Sequence, residues 1–138
     1  MIRRAGREDM AAVLDIRARV FIEEQGVPEA EERDGRDDEA IHLIAFDGET
    51  PVGTARILLD GTTGKIGRVA VLREKRGIGF GKALVRATLD ELRGMSMDEA
   101  KLGSQTHAIG FYAALGFTVT GPEYMDAGIP HRDMVFAL

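Results

Sequence analysis

The sequence predicts an α/β (α+β) fold, a mixed central sheet flanked by helices. Three observations carry that expectation. Residues 40 to 72 hold three strand-like apolar segments separated by turn signals, which is the pattern of antiparallel hairpins. From Gly79 onward, helical periodicity alternates with short strand-like segments, the pattern of β-α-β units. The 138 residues are 44% hydrophobic and 30% charged, enough apolar material for one core and one expected domain over residues 1–138.

Ile2 to Ala5 reads as a first strand. Glu8 and Asp9 precede a helical pattern of Val13, Leu14, Arg17, Val20 and Phe21, which ends near Gly26-Val27-Pro28. Residues 28 to 39 are acidic and rich in turn formers, and are expected to form a loop. Ala40 to Phe46 and Val52 to Leu59 form a hairpin across Asp47-Gly48-Glu49. Asp60-Gly61-Thr62-Thr63-Gly64 turns the chain into a strand over Ile66 to Leu72. Gly79 to Arg93 carries Ala83, Leu84, Ala87, Leu89 and Leu92 without a breaker, and reads as a helix. Ala100 to Ser104 is a strand, and Thr106 to Leu115 a helix that Gly116 terminates. Phe117 to Thr120 and Arg132 to Leu138 are the last strands. The order is β-α-β-β-β-α-β-α-β-β.

Composition excludes several classes. There is no cysteine, so a disulfide scaffold, a cysteine-based metal site and a thiol nucleophile are excluded. That usage suits a reducing compartment, and the cytoplasm is the expected location. No apolar run approaches 18 residues, so no membrane span is expected. The opening residues do not resemble a signal peptide. His42, His107 and His131 show no paired ligand spacing, the acids of 29 to 39 lack the calcium-loop register, and no metal is expected. Neither Ser96 nor Ser104 lies in a nucleophile-elbow turn.

The net charge is −5, but its distribution is uneven. Residues 23 to 39 carry nine acids against Arg33 and Arg36, while residues 65 to 86 carry seven bases against Glu74. The basic stretch suits an anionic ligand, and the acidic one is expected to favour a cation. An acidic chain with one short basic stretch makes a poor general nucleic-acid binder, and no nucleic-acid partner is expected.

The two signals meet at Arg76-Gly77-Ile78-Gly79-Phe80-Gly81-Lys82, where a strand passes into a helix. Glycines let successive backbone N–H groups converge, and a helix start adds unpaired N–H groups and a positive dipole end. This is a socket for pyrophosphate. It is not a Walker A loop, because Lys82 is followed by Ala83, and it lacks the glycine spacing of a dinucleotide fingerprint.

Arg76-x-x-Gly79-x-Gly81 resembles the Q/R-x-x-G-x-G/A motif of the GNAT superfamily of acyl-CoA-dependent N-acyltransferases. Downstream, Gln105-x-x-Ala108-x-x-Phe111-Tyr112-x-x-x-Gly116-Phe117 resembles its second motif, with Gln105 in the usual asparagine place. The segments Arg19 to Pro28, Ala40-Ile41-His42 and Gly128 to Met134 are similar to the ElaA-like subgroup. The resemblance covers nearly the whole chain.

The resemblance implies that acetyl-CoA is the co-substrate. Its pyrophosphate would rest on the main chain of Arg76, Gly77, Ile78, Gly79, Phe80, Gly81 and Lys82, and its pantetheine arm would run beside Val69, Ala70 and Val71. Gln105 would join the cofactor site, and Tyr112 matches the family's usual general acid. A thiol, with a pKa of about 8.5, lies below tyrosine at about 10, so proton transfer to the leaving thiolate is uphill by only about 2 kcal/mol. The strand Ile66 to Val71 has no acid, so the base is sought elsewhere: Glu24 and His131 lead, with His42 and solvent behind. The expected activity is direct transfer of acetyl to a small-molecule or peptide amine in a ternary complex. A non-catalytic acyl-CoA-binding or regulatory module is the alternative, and a homodimer is compatible with such proteins.

Overall fold

The computed structural model describes residues 1–138. Its strands are β1 (Ile2–Arg4), β2 (Ile41–Asp47), β3 (Thr50–Asp60), β4 (Thr63–Val71), β5 (Glu99–Gln105), β6 (Thr118–Asp126) and β7 (Ile129–Ala137). They form one seven-stranded sheet in the order β1-β2-β3-β4-β5-β7-β6. Only β4 and β5 are parallel; every other pair is antiparallel. Helices α1 (Met10–Arg17), α2 (Glu29–Glu32), α3 (Phe80–Gly94) and α4 (Ile109–Ala114) complete the fold. No helix is long and apolar enough to cross a membrane.

Alternation along β4 separates two cores. Ala70 packs with Ile16 and Val20 of the first helical segment, whereas its neighbour Val71 packs against the cluster containing Leu84 of α3. Successive strand residues point to opposite faces, so α1 and α3 cover opposite sides of the sheet. The main core joins Ile57 and Ile66 to Val85, Leu89 and Leu92, and extends to Leu102, Phe117 and Met134. Buried Leu84, Val85, Thr88, Leu89 and Leu92 form the inner stripe of α3. Gly64 admits the Leu92 side chain against β4, where a Cβ would collide with it.

The expected element order is found, with four local differences. The first helix does not run uniformly: after Arg17 the chain widens into a π-helical segment, Ala18–Glu24. Residues 28 to 39 are not simply a loop, since they contain α2 and a 3₁₀ turn at Asp37–Glu39. The Thr106 helix opens with a 3₁₀ turn before α4. Strand β6 extends to Asp126, six residues past the expected end, because β7 supplies a hairpin partner.

The acidic stretch also differs from expectation. Part of it is bound to arginines on the sheet and on α1. Arg17, fully buried, donates from Nε to Glu32 Oε2 at 2.8 Å and from Nη1 to Asp37 Oδ1 at 2.7 Å. Arg56 of β3 meets both Asp34 oxygens, at 2.9 and 2.8 Å, and Asp37 Oδ1 at 3.1 Å. Arg68 of β4 reaches Glu32 Oε2 at 3.1 Å and the Glu32 carbonyl at 3.0 Å. His42, also buried, donates from Nε2 to the Asp37 carbonyl at 3.0 Å, which places it in the fold rather than in a reaction. Three guanidinium groups thus face Glu32, Asp34 and Asp37, whereas Glu23, Glu29, Glu31 and Asp38 stay exposed without an ion-pair partner.

Removing one member of a buried pair strands its partner's charge. Arg17→Met should lower the unfolding free energy by about 3–5 kcal/mol. Lys101→Met, at a surface pair 3.7 Å long, should change it by less than about 1 kcal/mol. Urea unfolding curves of the two variants check the contrast.

Acid should act on the same network. Hydrogen bonding from Arg56 holds the Asp34 carboxyl well below its ordinary value. Burial would raise Asp37, but Arg17 and Arg56 outweigh it and hold that carboxyl low as well. Both groups therefore bind protons more readily in the unfolded chain. Their stabilisation is complete above the unfolded carboxylate value of about 4 and drains away as the pH falls through the folded values. Urea midpoints should hold near neutrality and decline below about pH 4.

Candidate functional site

The parallel junction of the sheet is short. β4 and β5 pair only at Thr63 with Glu99, Gly64 with Ala100, and Lys65 with Lys101. Beyond Lys65 a bulge enters β4: Arg56 faces Gly67, and Thr54 faces Ala70, so Arg68 and Val69 together oppose one β3 residue. Arg68 takes a φ of +50°, a left-handed conformation uncommon outside glycine. Ile66, Gly67, Ala70 and Val71 keep β3 partners, and none of residues 66 to 71 has a β5 partner. A groove of about 1400 Å³ lies along this parting and is lined by Val69, Ala70 and Val71 on one side and by Leu102 to Gln105 on the other.

One end of the groove is the glycine turn. A 3₁₀ turn at Arg73–Lys75 leads into it, and α3 starts at Phe80. Gly77 has a φ of +79° and Gly79, the residue that caps α3, has +100°. Those conformations turn the chain sharply, so that the first N–H groups of α3 have no carbonyl of their own helix to bond. With the helix dipole they form an anion site. Phe80 packs against the core below, Ile78 is exposed, and Gly81 sits beside Val71 and the Phe111 ring. Exposed Lys82 and Arg73 border this end.

Arg76 has a different role from the one its charge suggests. Its Nε donates to the Val71 carbonyl at 2.9 Å, closing the turn. Its two terminal nitrogens bond both oxygens of Glu24, at 2.6 and 2.8 Å. That pair ties the turn to the end of the π-helical segment, and hydrogen bonding from Arg76 lowers the Glu24 carboxyl below its ordinary value. Glu24 therefore borders the groove as a counter-ion with both oxygens engaged, which departs from its expected availability as a base.

Tyr112 lies on α4, edge-on to Phe111 at 5.0 Å and to Phe117 at 5.8 Å between ring centres. Burial pushes its hydroxyl up to about 12, and the residue lines the groove. Gln105 ends β5. Its Nε2 donates to Gln25 Oε1 at 2.8 Å, and its Oε1 is 2.6 Å from His107 Nε2. The first contact joins the end of the first helical segment to β5 across the groove rim.

His131 lies on β7, opposite Gln105 on one side and Tyr124 on the other. It is 9% exposed and borders the groove. Its Nδ1 is 2.7 Å from the Ile129 carbonyl; a carbonyl only accepts, so Nδ1 carries the hydrogen and, in the neutral ring, the lone pair is on Nε2. The groove thus brings together the turn, β4, Gln105, Tyr112, Glu24 and His131, while His42 stays outside it. Sequence reasoning passed over Gln25, Arg68, Tyr124 and Asp133. The available signals were Arg17 on an otherwise apolar helix stripe, which called for buried carboxylates, and Gly103 within a strand, which marks close approach of a neighbour.

Known proteins show the same arrangement of chain. Residues 6–138 match the acetyltransferase (GNAT) domain. A Bacillus subtilis (strain 168) protein provisionally named an acetyltransferase is 39% identical over 127 residues, covering 90% of this chain and 86% of its own. Escherichia coli ElaA superposes with a TM-score of 0.85 at 30% identity, covering 98% of this chain and 99% of that one. A Lactobacillus plantarum protein provisionally named an N-acetyltransferase reaches 0.93 at 25% identity, over 100% of this chain and 97% of its own. Parted strands, a glycine-capped helix and a matching domain over almost every residue place the chain in one group: it belongs to the GNAT family of acyl-CoA-dependent acyltransferases.

Proposed function

We propose that the chain transfers an acetyl group from acetyl-CoA directly to the amine of a small molecule or peptide, with both substrates bound at once. The observation that carries this reading is the groove itself: a backbone anion site at one end opens onto an unpaired strand edge, with Tyr112 and His131 on its walls.

In this reading the N–H groups of residues 77–82 hold the pyrophosphate, with Lys82 and Arg73 adding charge; contrary to expectation the Arg76 N–H is engaged by the Arg73 carbonyl at 3.3 Å. The pantetheine amides pair with the free edge of Val69 to Val71 as a further strand would. A β4 N–H stabilises the negative charge that develops on the thioester oxygen. The amine nitrogen attacks the acyl carbon, the C–N bond forms and the C–S bond breaks. With no cysteine in the chain, no acyl-cysteine intermediate intervenes.

The two protons follow from the two side chains. In this reading His131 Nε2 accepts the amine's proton, a task that an imidazole suits. Glu24 does not suit it, because Arg76 stabilises its ionised form. Tyr112, with its hydroxyl at about 12, lies about 3.5 units above a thiol, so full transfer would cost about 4.8 kcal/mol. Its contribution is a hydrogen bond to the departing sulfur rather than early surrender of the proton.

Tyr112→Phe should lower kcat by about 10²-fold while the Kd for acetyl-CoA stays within about twofold. The check is thiol release with acetyl-CoA over a panel of primary amines, beside isothermal titration. Retained kcat removes the tyrosine from the chemistry. Gly79→Ala places a Cβ at a φ of +100°, which costs about 1–2 kcal/mol of backbone strain or reorients the N–H array. Titration should then show acetyl-CoA binding about tenfold weaker; unchanged affinity would move the anion site elsewhere.

A further inference from the structure

Tyr124 was assigned no part in the chemistry above, yet its surroundings fix it closely. Its ring stacks on the His131 imidazole, centres 5.9 Å apart and planes 23° apart. Its hydroxyl donates to Asp133 Oδ1 at 2.7 Å, and Asp133 Oδ2 faces Lys101 Nζ at 3.7 Å. On β5, Gly103 leaves room for the phenol: a Cβ there would collide with the Tyr124 hydroxyl. Gly103 is paired with Asp133, and Tyr124 with His131, so the four residues form one patch over three neighbouring strands. Burial and the Asp133 carboxylate both raise the Tyr124 hydroxyl, which therefore stays a donor.

The patch has a consequence for the imidazole. A histidine ring held only by its Nδ1–H bond to the Ile129 carbonyl could rotate about that contact or exchange tautomers. A flat ring stacked against one face, itself locked at its far end, removes that freedom. We propose that Tyr124 is a positioning residue: seated over Gly103 and anchored by Asp133, it holds His131 in the Nδ1–H tautomer with the Nε2 lone pair turned to the groove. The inference rests on the reading of His131 as the base only for its effect on rate; the tautomer itself is independent of that reading.

The test uses the full chain labelled with ¹⁵N. Imidazole nitrogen shifts distinguish the two neutral tautomers of His131 directly. The wild type should show the Nδ1–H form alone. In Tyr124→Leu, and in Gly103→Ala, which displaces the phenol from another strand, the Nε2–H form should appear. With acetyl-CoA and the amine panel, kcat should fall about tenfold or more in both, with acetyl-CoA affinity unchanged. Tyr124→Phe keeps the stacked ring but loses the Asp133 anchor, and should fall between wild type and Tyr124→Leu in both tautomer population and rate, which separates positioning from loss of fold. A wild type that already populates the Nε2–H form, or an unaltered tautomer in both disruptive variants, overturns the proposal. A shifted tautomer beside full kcat in His131→Gln would leave the positioning intact and remove His131 as the base.

Discussion

Two parallel strands that pair over three residues and then separate are the constraint on which the remaining structure depends. A buried strand edge ordinarily satisfies its N–H and C=O groups with the next strand. Here β4 parts from β5 where the bulge at Arg68 and Val69 interrupts its pairing with β3, and residues 66 to 71 have no partner on the β5 edge. The free edge can accept another extended chain of amides. The glycine turn lies at the end of the same strand, so one element supplies both the amide edge and the approach to the anion site. The parting also leaves β5 and β7 to carry Gln105 and His131 on the opposite wall. In the proposed reading acyl-donor recognition is a backbone property, and the side chains are freed for the reaction.

The same bulge explains the electrostatics. Arg68 leaves the regular alternation of β4 and meets Glu32, whose other partners are Arg33 and the fully buried Arg17. Burial, together with nearby Arg56, pushes the Arg68 guanidinium below its ordinary value. The acids of α2 and the following turn compensate. Glu32, Asp34 and Asp37 are therefore fastened to guanidinium groups on the sheet and on α1, and Glu32 and Asp34 border the groove. Arg76 and Glu24 repeat the device at the other end, where a charge that could have met a phosphate instead fixes the turn.

Much of this could be read in the chain, and the rest depends on distance. Ile66 to Leu72, the glycine turn and the α3 stripe are local signals, and each was visible as a pattern of adjacent residues. The order of elements followed from them, as did Tyr112 and Gln105 through the two motifs. The bulge was hidden because Gly67-Arg68-Val69-Ala70 reads as an ordinary strand; it shows only in the register against β3. The last two thirds of β6 were hidden because Gly121-Pro122 breaks the local pattern, and pairing with β7 restores the strand from Tyr124 on. Glu32 and Arg68 are 36 residues apart, and no local pattern joins them. Tyr124 and His131 meet across a hairpin whose turn, Ala127-Gly128, was not expected to be one.

The order of the sheet also bears on how copies of this chain avoid one another. A seven-stranded sheet ends in two rows of main-chain groups, each a template for unwanted growth. At one end β1 is only three residues long and carries Arg3 and Arg4. At the other, β6 is interrupted: its register slips between Thr120 and Tyr124, Pro122 offers no N–H, and Arg132 bends over to take the Gly121 carbonyl at 2.8 Å. Both rims are thus too short or too uneven to extend a ladder, and the protein can keep one strand edge open inside its groove without presenting a second, adhesive one to its neighbours.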